Sequence, residues 1–179
     1  GCRVIYIPGN HEARGSKADL AAFNLEPLEY CARGPFNIVE GAGVEFLCVP
    51  HADNYDGYRD WKIPPKKDGV TRVAVIHALN STIFTGPDPE ADTRAGAIED
   101  DFFARFRVDY AAMGHIHLGR QHFLGGAIAA YPGSPRVWRA HPKEAGVKSV
   151  RLVETGGSPV NSRTVEIQAG GQYREYVLP

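Results

Sequence analysis

Three apolar runs in this chain stop on residues that bind metal ions, and this recurrence restricts the fold more than any other feature. The run 108–113 breaks at Gly114-His115-Ile116-His117. The run 70–76 ends at His77. Arg3-Val4-Ile5-Tyr6-Ile7 gives way to Pro8-Gly9-Asn10-His11-Glu12. Each run is short, apolar and bounded by turn residues, so each reads as a buried strand. In open α/β sheets, sites assemble beyond the carboxyl ends of the strands. Three strand ends carrying ligand-type residues therefore point to one α/β site.

The residue types fit that reading. Neutral imidazole is the commonest side-chain metal ligand. An Asn carbonyl oxygen is a harder donor that suits Mn, Fe or Mg. Two residues two apart in extended chain point to the same side, with Cα atoms about 7 Å apart. That spacing makes His115 and His117 better suited to a pair of ions about 3.5–4 Å apart than to one ion. Asn10, His77 and His115 are candidates for one ion and His117 for the other. His11, beside a ligand, is better placed as an acid than as a ligand. The bland alternative makes these histidines polar caps on strand ends, and three aligned strand ends weigh against it.

The remaining expectations follow the chain. Ser16 with Asp19 resembles a capping box and predicts a helix to about Asn24. Segments 36–39 and 44–49 flank Glu40-Gly41-Ala42-Gly43, a hairpin signature. Residues 50–70 read as loop, with Tyr55, Tyr58 and Trp61 packing it down rather than stacking on a base. His51 ends a strand and could line the pocket, although it reads rather as a hydrogen-bonded loop histidine. Residues 79–96 read as a long polar loop, a common form for a lid. Ile98, Phe102, Phe103 and Phe106 recur at helical spacing, predicting a helix over 98–106 packed on a sheet. Gly125-Gly126 centres a hairpin over 122–131. Strand-like runs at 147–153, 164–167 and 173–178 suggest a C-terminal meander. The expected organisation is a main domain over 1–145 with a strand-rich extension of it over 146–179.

Composition limits the function classes. The 179 residues suffice for one domain with a real core. A formal charge of −1 supplies no global basic field for nucleic acid. The 3 cysteines, Cys2, Cys31 and Cys48, show no C-x-x-C spacing and fit free thiols in a reducing compartment. No apolar run approaches membrane-spanning length, so the expectation is a cytoplasmic protein without a membrane partner.

Gly9-Asn10-His11-Glu12, the strand-ending His77 and Gly114-His115-Ile116-His117 together resemble the last three motifs of the calcineurin-like metallophosphoesterases. The resemblance covers residues 3 to about 136. It implies a four-layer α/β/β/α sandwich and a site for two divalent metal ions, often Mn, with Fe, Zn or Mg open. It implies that Asn10, His77 and His115 bind one metal and His117 the other. It further implies that His11 stabilises the transition state and protonates the leaving oxygen. Within that superfamily, the turn Tyr131-Pro132-Gly133-Ser134-Pro135 is similar to that of double-strand-break-repair exonucleases of the SbcD type. Ser134 and Arg136 are the candidate substrate contacts, and Arg139 and Lys143 add cations after the turn.

The implied function is metal-dependent phosphodiester hydrolysis, as a DNA-repair exonuclease. DNA is the implied partner, with an ATPase subunit or a second copy as further partners. A small-molecule phosphodiesterase or phosphatase stays open, as does a non-catalytic interaction domain on the same scaffold. The family also carries an Asp-x-His and a Gly-Asp strand end upstream, and neither occurs in this sequence. The expectation is a sandwich incomplete at its N-terminus and, by itself, inactive.

Overall fold

The computed structural model describes residues 2–15, 28–84, 96–135 and 147–168. Its centre is a six-stranded sheet. In chain order the elements are β1 (Val4–Tyr6), α1 (Asn10–Gly15), β2 (Leu28–Tyr30), β3 (Asn37–Gly41), β4 (Val44–Val49), β5 (Thr71–His77), α2 (Asp101–Arg105), β6 (Tyr110–Gly114), β7 (Arg120–Leu124), β8 (Ala127–Tyr131), β9 (Ser149–Glu154) and β10 (Asn161–Glu166). The main sheet runs β3-β4-β5-β6-β8-β7. β4, β5, β6 and β8 pair in parallel, while β3 and β7 close the two edges as antiparallel hairpin partners. The α/β expectation is met.

The hairpins form where small turn residues permit positive φ. Ala42 and Gly43 have φ of 51° and 75°, and Gly125 and Gly126 have 57° and 88°. Two-residue turns of this hand match the twist of the strands they join. Glycine is required at Gly125, where an added Cβ would stand 2.5 Å from Asp100 O.

Strand side chains alternate between the two faces of the sheet. Leu47 and Val49, Ala74 and Ile76, Ala111 and Met113, and Ala127, Ala129 and Tyr131 share one face with Phe102 and Phe103 of α2 and with Tyr58. Phe46, Val75, Ala112 and Ile128 line the other face and meet Val153 and Val160 of the C-terminal hairpin. A helical layer, the main sheet and a layer of short strands are thus stacked in order. Tyr55, Tyr58 and Trp61 do pack the 50–70 segment down, and residues Asp56–Asp60 there form a 3₁₀ turn.

Several local expectations need correction. The tight turn expected at Gly9-Asn10-His11-Glu12 is instead the first turn of α1. β2 was not legible as a strand, because three residues after Pro27 carry no readable period; it pairs in parallel with β1. The helix expected over 98–106 is confined to Asp101–Arg105. Ile98 is drawn into extended pairing, its N–H donating to Leu79 O at 2.8 Å, and Arg107 closes the other end with φ of 52°. The apolar pattern was nevertheless right, since Ile98, Phe102, Phe103 and Phe106 are all buried. β10 begins at Asn161, earlier than the apolar run suggested, because ladder pairing with β9 does not require apolar side chains. The helix expected over 16–24, the strand at 173–178 and most of the 79–96 loop lie outside the described residues. Cys2, Cys31 and Cys48 are free thiols. Among the described residues, no helix is long and apolar enough to cross a membrane.

Candidate metal centre

Parallel pairing puts the carboxyl ends of β4, β5 and β6 on one rim of the sheet. The register fixes their levels, with Val49 opposite Ile76 and His77 opposite Gly114. His51 leaves β4 two residues past its end, His77 ends β5, and His115 follows β6 directly. The fourth contribution comes from β1. Its exit is tied to the rim by His51 N–H, which donates to Pro8 O at 3.0 Å. That bond brings the start of α1, with Asn10 and His11, over the end of β5.

The central contact joins the first and second motifs. His77 Nε2 and Asn10 Oδ1 stand 2.8 Å apart across a separation of 67 residues. The His77 ring lies edge-on to the His115 ring, with centroids 5.4 Å apart, and edge-on to the His51 ring at 5.8 Å. Asn10 is 3% exposed and His115 7% exposed, so both donors are withdrawn from solvent. His11 is exposed on the first turn of α1. His117 is half-buried.

Two glycines clear the space that the His77 ring occupies. A Cβ on Gly9 would stand 2.7 Å from His77 Cε1, and one on Gly114 would stand 3.0 Å from His77 Nδ1. Neither glycine has positive φ, so close approach rather than backbone freedom explains them. Glu12 now has a mechanical role. Its Oε2 accepts the Gly9 N–H at 2.8 Å, the returning half of a capping box at the start of α1. His115 adopts φ of 102°, a conformation that side-chain-bearing residues rarely hold. Strained backbone of this kind clusters at functional sites. Here it turns the chain sharply off β6 and leaves His115 against His77.

Burial holds His77 neutral, pushing its pKa down to about 3, and repulsion from His115, His51, His11 and His117 adds to the effect. Four other histidines thus stand near enough to act on His77. The turn after β8 abuts them: Ser134 is buried, and its N–H donates to His117 O at 3.0 Å. Gly133 has φ of 86°, and a Cβ there would meet Gly119 N and His117 O at 3.1 Å.

The structure therefore brings Asn10, His11, His77, His115 and His117 to one rim, with Ser134 behind them. Arg136, Arg139 and Lys143 lie outside the described residues. His51 is a loop residue whose Nε2 stands 3.5 Å from Asp53 Oδ1, and its ring also lies beside His77 at the rim; the signal for the latter was its position just after an apolar strand. Tyr55 was read as packing the loop or stacking on a base, and neither reading included its hydroxyl, which reaches the carbonyls of Pro50 and His77 at 3.0 and 2.9 Å.

The donors fit a divalent ion in kind. Two ligands about 2.1 Å from one octahedral ion, at right angles, stand about 3 Å apart. The 2.8 Å between Asn10 Oδ1 and His77 Nε2 is close to that separation. Among the described residues, no group of three or more His, Cys, Asp or Glu is placed to hold a metal ion.

A rim of histidines and a buried amide oxygen stands at the ends of the parallel strands of an α/β fold. The model of the calcineurin-like phosphoesterase family matches residues 2–119, well over half of the chain. The chain belongs to that family, whose members bind divalent metal ions and hydrolyse phosphoesters. No curated protein matches the chain significantly.

Proposed function

We propose that the rim is the phosphodiesterase centre of a nuclease, with DNA as substrate. The contact between Asn10 and His77 carries the reading, because it joins two of the motifs across 67 residues of chain. Asn10, His77 and His115 would hold one divalent ion and His117 the second, with Mn the expected metal. Bound ions supply charge stabilisation at the phosphoryl oxygens and make water a competent nucleophile at neutral pH.

The chain's own groups do the rest. Asn10 and the neutral His77 imidazole offer lone pairs without bringing positive charge to an anionic substrate. His11 is exposed beside Asn10, where a phosphodiester bound at the rim would meet it. Its protonated ring donates to the leaving oxygen as the bond to phosphorus breaks, an effect typically worth about 10²–10⁴-fold. The burial of Asn10 and His115 excludes bulk water and strengthens every local electrostatic interaction.

The choice of DNA rests on the Tyr131-Pro132-Gly133-Ser134-Pro135 turn, which resembles that of the repair exonucleases and lies against His117. The test is the full-length protein with Mn on bis-p-nitrophenyl phosphate, linear DNA and a nucleotide panel. Activity unaltered in His11→Ala overturns the acid role. Hydrolysis of nucleotides with none of linear DNA replaces the nuclease reading by a small-molecule phosphodiesterase. DNA binding through phosphates requires affinity to fall steeply with salt.

A further inference from the structure

We infer that Tyr55 is a positioning residue for the metal centre. Its buried hydroxyl fixes the backbone at the ends of β4 and β5 so that His77 presents its imidazole to Asn10. This rests on the reading of the rim as a metal centre.

Tyr55 is 3% exposed and lies in the segment that leaves β4. Its hydroxyl sits between Pro50 O at 3.0 Å and His77 O at 2.9 Å, and it accepts the Ala52 N–H at 3.0 Å. One proton serves both carbonyls, so the oxygen sits at a junction of two strand exits. Packing a ring requires none of these bonds. The ring itself is tightly seated: a Cβ on Gly96 would stand 2.6 Å from Tyr55 Cδ2 and 2.9 Å from Ala52 O. Gly96 N–H in turn donates to Ala52 O at 3.0 Å, locking the segment from behind.

The His77 carbonyl is where such a hold has most effect. It belongs to the last residue of β5, where ladder support from the neighbouring strands runs out. The next carbonyl, Ala78 O, accepts the Tyr131 hydroxyl at 2.7 Å. Two tyrosines from different elements thus hold consecutive carbonyls at the exit of β5. The Tyr55 hydroxyl also fixes Pro50, whose neighbour His51 ties down the chain just before Asn10. Removing it loosens both sides of the Asn10–His77 contact, and leaves buried polar groups without their partner.

The experiment compares full-length wild type with Y55F, Y58F and G96A. Metal affinity is read by visible absorption on titration with Co²⁺ and by calorimetry with Mn²⁺, alongside thermal melting. Y55F is expected to weaken metal binding about tenfold, the lower end for groups that orient ligands. Its hydrolysis of bis-p-nitrophenyl phosphate is expected to recover when Mn is raised. Tyr58 is the control, a buried ring whose hydroxyl binds Asp101 away from the rim. Y58F is expected to melt lower with unchanged metal affinity. G96A pushes the same ring sterically, and supplies the answer if Y55F does not fold; it too should weaken metal binding. Wild-type affinity in Y55F, or in G96A where Y55F is unfolded, overturns the proposal, as does an equal loss in Y58F. A wild type that binds neither Co²⁺ nor Mn²⁺ refutes the metal centre itself and takes the proposal with it.

Discussion

The two ends of the parallel strands handle charge in opposite ways. At the amino ends, each buried ion has a counterion. Arg72 and Glu45 face each other across β4 and β5, with side chains 2% and 4% exposed. The Arg72 guanidinium also donates to Phe106 O and Pro64 O, both at 2.7 Å. Asp109 accepts Lys66 Nζ at 2.7 Å and the Arg72 N–H at 2.7 Å. At the carboxyl ends, burial and four neighbouring histidines keep charge off His77, two glycines make room for its ring, and His115 holds a strained φ. The amino end is closed by interactions that the chain supplies to itself. The carboxyl end gathers lone pairs, which is what a site for cations requires.

That contrast can be broken from either side. The largest expected effect is on chemistry at the carboxyl end. His77→Ala should lower phosphodiester hydrolysis by about 10³-fold, the several kcal/mol that a metal contributes, while leaving the fold intact. Metal content and activity of the purified variant check this together. At the amino end the loss should be of stability. Glu45→Gln leaves the buried Arg72 charge uncompensated and should cost about 3–5 kcal/mol, read by denaturant unfolding, with metal affinity of the folded fraction unchanged. A drop in metal affinity there would dissolve the contrast.

A smaller effect sharpens the carboxyl-end geometry. Gly9→Ala places a methyl where His77 Cε1 lies 2.7 Å away, and should weaken metal binding by about tenfold. Calorimetric titration reads it. The smallest effect is on acid stability of the metal-free protein. An unfolded imidazole takes a proton near 6.5, whereas folded His77 resists until about 3. Between these values the unfolded state binds more protons, so stability is lost as pH falls from 6.5 toward 3. From pH 6.5 to 5.5 the loss should be about 1 kcal/mol. Chelated wild type and His77→Ala, melted side by side, isolate it; identical pH slopes would remove His77 as the source.

Much of the site was legible because strand ends are legible. A β-branched run that stops at His77, or at Gly114-His115-Ile116-His117, marks both the strand and the residue that emerges from it. His51 obeyed the same rule but was outweighed, since a single histidine after Pro50 has no companion in sequence. Glu12 shows a different gap. Its bond to Gly9 depends on α1 beginning at Asn10, a boundary that the Pro8-Gly9 turn signal obscured. Tyr55 was hidden more completely, because an aromatic in a loop reads as packing and its hydroxyl partners lie 5 and 22 residues away.

Local sequence determined which residues can donate to a cation and that they follow strands, because residue chemistry and apolar runs are written in the chain. Tertiary structure alone decided that these ends share one rim, at one level, within 2.8 Å of each other in the case of Asn10 and His77. Parallel pairing sets that level through hydrogen bonds between distant segments, and no local pattern encodes such a register.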